Sequence, residues 1–211
     1  MAFPALTRNE ETIRTIVNAA AESFAEDGFV GARVDDIARR AGINKALLYY
    51  YVGDKAALYA FVLLEAFQQA CSLIDSAVDT HSSAEEQLRG AITAVALTAV
   101  ANPSFPRLML REITTGGTNL PEPVLKSMGH IFGTICRILR KGTEDGSFRN
   151  VDPLMTHIQI MGSILFLSTA EKTARRIIPF APVPQEELQP ITADNIARQV
   201  ADTILGGIRK Q

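Results

Sequence analysis

Val34-Asp-Asp-Ile-Ala-Arg-Arg-Ala-Gly42-Ile-Asn-Lys-Ala-Leu-Leu-Tyr-Tyr-Tyr51 is the stretch whose reading decides the fold. Val34, Ile37, Ala38 and Ala41 recur at three- and four-residue steps, which places them on one face of a short helix. Gly42 ends that helix, because glycine takes the positive φ that a helix-ending turn requires. Asn44 is a good N-cap for a second helix from Lys45 to about Val52. Two short helices meeting at so tight a turn have the pattern of a helix-turn-helix, with Ala38 small where the helices approach. Ile37, Ile43 and Leu48 are expected to bury between them. Lys45, Ala46, Leu47, Tyr49 and Tyr50 are then left for the outer surface. Three consecutive tyrosines suit an outer role, since a buried phenol needs a hydrogen-bond partner.

Working outward, Ile13, Ile16, Val17, Ala20 and Phe24 give a preceding helix one apolar face, with Thr7 and Glu10 as a capping box and Gly28 as its stop. Asp54 is placed to cap a fourth helix from Lys55 toward Asp79. Ser83 with Glu86 opens a fifth, which ends near Asn102-Pro103, and a shorter helix covers about 104–114. Gly116-Gly117 and Pro121-Glu-Pro123 break the pattern before a long helix to Asp145. Asp152-Pro153 starts another, reaching about Arg176. A proline-punctuated loop follows, and Thr192 opens the last helix, to about Ile208. The count is nine helices and no strand: an all-α chain, divided into a reading domain over 1–54 and a larger body over 55–211.

Here the sequence resembles the TetR family of transcriptional regulators. The family's pattern runs from a Gly-aromatic turn through Ile-Ala and Ala-Gly-Val-Ser to Tyr-x-x-Phe and a following Lys. These places hold Gly28-Phe29, Ile37-Ala38, Ala41-Gly42-Ile43-Asn44, Tyr49-Tyr-Tyr-Val52 and Lys55, so the detailed match covers roughly residues 10 to 60. The resemblance implies a nine-helix fold, with helices 2 and 3 reading operator DNA. It also implies a C-terminal ligand-binding and dimerisation domain, with helices 8 and 9 forming the dimer interface. The residues carried over to DNA are Arg33, Asn44, Lys45, Ala46, Leu47, Tyr49, Tyr50 and Lys55. Three departures stand out. Arg33 replaces the usual Thr at the start of helix 2, and it can hold phosphate by charge but cannot cap. Ala46-Leu47 replaces Gly-Thr, which turns base preference toward apolar contact such as a thymine methyl. Val52 replaces the Phe that closes the small core.

The charge balance offers no global attraction to nucleic acid, since the whole chain carries a formal charge of -2. Residues 1–56 hold seven bases (Arg8, Arg14, Arg33, Arg39, Arg40, Lys45, Lys55) against eight acids (Glu10, Glu11, Glu22, Glu26, Asp27, Asp35, Asp36, Asp54). DNA binding therefore requires Arg33, Lys45, Lys55 and the helix N-termini to face phosphates while the acids point away. Arg39 and Arg40 are read as a solvated face. A helical regulator-like dimer acting only through protein contacts is the alternative that this acidic lean favours. An enzyme is disfavoured: neither a nucleophile elbow nor a phosphate-cradling loop nor a useful carboxylate pair is apparent.

In the larger body, Phe105, Met109, Met128, Phe132, Ile135, Met161 and Phe166 are the wide or flexible apolar side chains from which a pocket for a small apolar or amphipathic effector could be built, though plain core packing accounts for each of them. Arg111, Glu112, His130 and His157 are its candidate polar groups. Ile158, Gly162, Leu165 and Thr169, together with Ile196, Val200 and Ile204, form the expected dimer seam, small residues permitting close helix approach. Cys71 and Cys136 lie far apart with no CxxC or Cys/His cluster, so no metal, cofactor or disulfide is expected. Met1 to Arg14 lacks the apolar run of a signal peptide, and 158–170 reads as too short and too interrupted to span a bilayer. The expected setting is cytoplasmic.

Overall fold

The computed structural model describes residues 8–79, 81–182, 184 and 188–210. Thr7, half of the expected first capping box, lies outside them. Among the described residues there are nine α-helices and no named strand. They are α1 (Arg8–Gly31), α2 (Val34–Arg40), α3 (Lys45–Val52), α4 (Lys55–Ala77), α5 (Ala84–Ala101), α6 (Ser104–Thr114), α7 (Glu122–Glu144), α8 (Pro153–Ile177) and α9 (Ala193–Ile208). A 3-10 turn, Ile178–Phe180, extends α8.

The helix starts follow from side chains that satisfy orphan backbone N–H groups. Asn44 accepts from Leu47 N at 2.8 Å, Asp54 from Ala57 N at 2.7 Å and Asp152 from Met155 N at 2.8 Å. Ser83 and Glu86 complete a reciprocal capping box, and Thr192 caps α9. Gly28 behaves differently from a simple stop. Its φ of 73° and ψ of 175° break the helix, yet helical turns resume to Gly31. Glycine is favoured there by the positive φ, and a Cβ, 2.5 Å from Arg111 Nε, would also displace that side chain.

Two helix sets meet at α1 and α4. Phe24, Phe29 and Tyr59 pack with ring centroids 4.8 to 6.4 Å apart, so the first turns of α4 complete the core on which α2 and α3 rest. Burying Leu48 and Ile37, both at 0% exposure, contributes about 1.5–3 kcal/mol each. Those two side chains fix the orientation of α3. In the larger body α5 packs on α4, α7, α8 and α9, and α6 reaches back to α1. The α7–α8 turn is closed by Phe148, which lies so near Gly142 that a Cβ would stand 2.1 Å from its ring. Arg149 N and Lys210 N bond to Ile208 O and Ser147 O, tying the chain end to this turn.

The expectation for 158–170 needs correction. The helix that holds it continues to Phe180, and both 153–180 and α4 are long and apolar enough to cross a membrane, with mean hydropathies of 1.2 and 1.5 over their richest windows. In α4 the apolar stripe is covered by α1, α5 and α7. In α8 much of it is not: Leu154, Met155, Ile158 and Phe166 are exposed.

Candidate nucleic-acid interface

The chemistry of the α2–α3 surface follows from which side chains are already committed. Leu48 is buried, the Tyr51 hydroxyl donates to Asn9 Oδ1 at 3.1 Å, and Val52 packs on the core. Ala46, Leu47, Tyr49 and Tyr50 are exposed, Tyr50 at 80%. The Tyr50 ring meets Tyr51 edge-on at 5.3 Å, which stiffens a side chain that otherwise stands free. Asn44 stands exposed at the α3 N-terminus with Oδ1 engaged as the cap.

The cations are arranged less freely than the sequence suggested. Lys45 Nζ pairs with Asp35 Oδ1 at 3.0 Å, and this hydrogen bond and charge raise the lysine pKa above its ordinary value. Arg39 pairs with Asp36 at 2.7 Å and Arg40 with Glu26 at 2.6 Å, the latter pairing holding the glutamate below its ordinary range. Lys55 turns inward, donating to Val30 O at 3.2 Å and resting 5.0 Å from the Phe29 ring centroid. Its observed contacts finish α1 and hold Phe29. Arg33 is the exposed N-cap residue of α2 and makes no capping bond. The face thus combines an apolar and phenolic centre with lysine and arginine at its edge, beside the N-terminus of α3.

Sequence reasoning missed the support behind this face. Arg111 Nη1 donates to Glu26 O at 2.9 Å and so caps α1 from α6. The Tyr59 hydroxyl donates to Glu112 Oε1 at 2.5 Å inside the core, and burial followed by that bond pushes the phenol pKa well up. Glu112 Oε2 is buried without a hydrogen-bond partner. Both contacts span more than fifty residues of sequence, and no local pattern announces them.

The family comparison decides the identity. A family model described as bacterial regulatory proteins, tetR family, matches residues 16–62, and one described as tetracyclin repressor-like, C-terminal domain, matches residues 85–200. The chain belongs to the TetR family. It is a DNA-binding transcriptional regulator of that family. It is similar to the transcriptional repressor NicS of Pseudomonas putida, with 27% identity over 157 residues, 72% of each chain. The A-factor receptor protein of Streptomyces griseus is 30% identical over 162 residues, 74% of this chain but 53% of that one. The transcriptional activator FasR of Mycolicibacterium smegmatis shares 34% over 89 residues, 42% of this chain and 40% of that one. Among solved structures, the TetR family regulator PfmR of Thermus thermophilus aligns with a TM-score of 0.68 and 25% identity over 92% of this chain and 99% of that one. KstR2 of Mycobacterium tuberculosis aligns with a TM-score of 0.71 over 100% of this chain and 99% of that one; at 21% identity it shows the fold.

Away from the α2–α3 face, the TetR chain departs from its sequence reading in two places. Leu165, Ile196, Val200 and Ile204 are buried within the chain, α9 packing on α5 and α8, so they are core residues here and not an open seam. The four-residue repeat of α9 marked a buried face without saying against which chain. Ile158 and Gly162 are exposed and Thr169 half-buried, which leaves α8 as the open side. The proposed pocket residues also disperse. Met109 and Ile135 are closed in the core, Met128, Phe132 and Met161 are partly covered, and Phe166 points outward at 65% exposure. Phe105 lines a cleft of about 230 Å³ between α1, α4 and the α5–α6 junction, while a second of about 660 Å³ lies along α8 and α9; the other six proposed residues line neither. Of the polar candidates, His130 pairs with Asp75 at 2.9 Å on the surface, and His157 packs edge-on to Phe132 at 5.1 Å. No group of three or more metal-ligating side chains is assembled among the described residues.

Proposed function

We propose that this regulator is a cytoplasmic repressor that holds operator DNA as a homodimer, inserts α3 of each subunit into successive major grooves, and lets go when a small apolar or amphipathic effector enters the larger body. The observation that carries the reading is the outward face of α3. Leu48 anchors the helix from beneath, and Ala46, Leu47, Tyr49 and Tyr50 stand exposed above it. Arg33 and Lys45 supply charge at its margin, Asn44 and the α3 N-terminus supply donors toward phosphate, and Lys55 acts by holding α1 and Phe29 in place.

The uncovered apolar side of α8, with Leu154, Met155, Ile158 and Phe166, supports pairing with a second copy, Gly162 allowing close approach. Two reading helices then reach half-sites one DNA turn, about 34 Å, apart. The effector is proposed to enter at the cleft that Phe105 lines between α1, α4 and the α5–α6 junction. Its occupation would alter the α6 contacts to α1 and α4. FasR, a relative named as an activator, is 34% identical over 89 residues, so the sign of regulation is left to operator position.

Selection of bound duplexes from a random pool by the full-length protein tests this reading. The expected product is an inverted repeat with half-site centres about one helical turn apart. Recovery of no enriched sequence, or of single unpaired sites, contradicts it.

A further inference from the structure

We propose that operator choice rests on thymine 5-methyl groups, read by Leu47 and Ala46, and not on arginine–guanine or asparagine–adenine pairing. The inference rests on the DNA-reading role of α3. In a helix-turn-helix the N-terminal residues of the second helix meet the base edges. At these places the chain has few polar reagents to spare. Asn44 Oδ1 is taken by Leu47 N–H, which removes the acceptor half of the bidentate pair that an asparagine makes with adenine. Lys45 is drawn back onto Asp35, its Nζ within 3.0 Å of Oδ1 and 3.1 Å of Oδ2. No arginine lies on α3, and the two at the end of α2 are bound to Asp36 and Glu26.

What remains at the front is hydrocarbon. Ala46 is exposed and Leu47 is 37% exposed, the latter on the turn directly above the cap. Against a guanine or cytosine edge, such side chains would strip water from O6, N7 or N4 and return no hydrogen bond, a net loss. Against a thymine they cover a methyl group that water solvates poorly. That asymmetry converts an apolar helix front into a base preference. Tyr49 and Tyr50 lie one turn further on, where their hydroxyls reach the sugar-phosphate walls and set the register.

The test uses the full-length protein and a fragment selected by it from a random duplex pool, prepared once with thymidine and once with deoxyuridine throughout. Each buried methyl is worth about fourfold in affinity. Two half-sites are then expected to make the uracil fragment weaker by about tenfold or more. Leu47→Ser should bind both fragments within about twofold of each other, at the level the unaltered protein shows on uracil; Ala46→Ser should show a smaller version of the same convergence. Thermal melting confirms that each variant is folded, as their exposed positions lead one to expect. Equal binding of both fragments by the unaltered protein overturns the inference and leaves DNA reading by α3 intact. A uracil penalty of the same size in Leu47→Ser also overturns it, by assigning the effect to duplex shape. Failure to select any fragment removes the DNA-reading role and the methyl readout with it.

Discussion

The α3 face and the α8 face both leave large apolar groups in water, and they do so in different ways. On α3 the exposed bulk is phenolic: Tyr49 and Tyr50 are exposed beside a Lys45–Asp35 pair and an arginine at the edge of α2. Each ring offers a hydroxyl, so this face suits a wet, charged and hydrogen-bonding partner. On α8 the exposed groups are Leu154, Met155, Ile158 and Phe166, which offer no hydrogen bond at all. Such a surface is satisfied only by another dry one. The kind of exposure, more than its extent, separates the face proposed for nucleic acid from the face proposed for protein.

The sharpest way to break this contrast is to place charge on α8. Ile158→Arg together with Phe166→Arg should convert a dimer to a monomer in sedimentation and weaken operator binding by about a hundredfold or more, because the second half-site would lose its high effective concentration. A charged variant that still sediments as a dimer would mean that α8 is not the seam.

Next in size is the buried support. Tyr59→Phe should leave both oxygens of Glu112 without a donor and cost about 1–3 kcal/mol of stability by denaturant titration. Tyr50→Phe, on the open face, should leave stability unchanged within about 0.5 kcal/mol. Adding Glu112→Leu to Tyr59→Phe should recover much of the loss, since the stranded carboxylate is then gone.

A smaller effect is expected at the margin of α3. Asp35→Asn should free Lys45 from its partner, tighten binding a few-fold at low salt and steepen the log–log salt dependence by about one for each additional lysine contact to phosphate. An unchanged slope would show that Lys45 stays clear of the duplex.

The smallest concerns pH. Burial lowers the His157 pKa below its ordinary 6.5. The unfolded chain therefore takes up this proton first as pH falls, so the neutral buried ring favours folding above about pH 6.5 and that advantage drains away below it. Thermal melting between pH 7 and pH 5 should show a modest decline that His157→Leu flattens. A decline equally steep in that variant would place its origin elsewhere.

Much of the architecture was legible because it is written locally. Asn44, Asp54, Ser83, Asp152 and Thr192 each announce a helix start a few residues ahead, and each forms its cap. The outward set on α3 was legible for the same reason: eight residues around one buried leucine have few ways to turn. The bond of Lys55 to Val30 O was not legible, because a lysine's long stem can reach a phosphate or a helix end equally well. Arg111 and Glu112 carried no local sign of their partners on α1 and α4. The α9 repeat was read correctly as a buried face and assigned to the wrong neighbour, because period reports burial and says nothing of the chain that supplies it.

The most direct measurement is the affinity of full-length Tyr50→Ala for a duplex that the unaltered protein selects, followed by fluorescence anisotropy beside a melting curve. Tyr50 is 80% exposed and makes no core contact, so the melting temperature should hold within a few degrees while binding falls at least about tenfold. Full affinity in a folded Tyr50→Ala protein would mean that the outward side of α3 does not lie against the DNA.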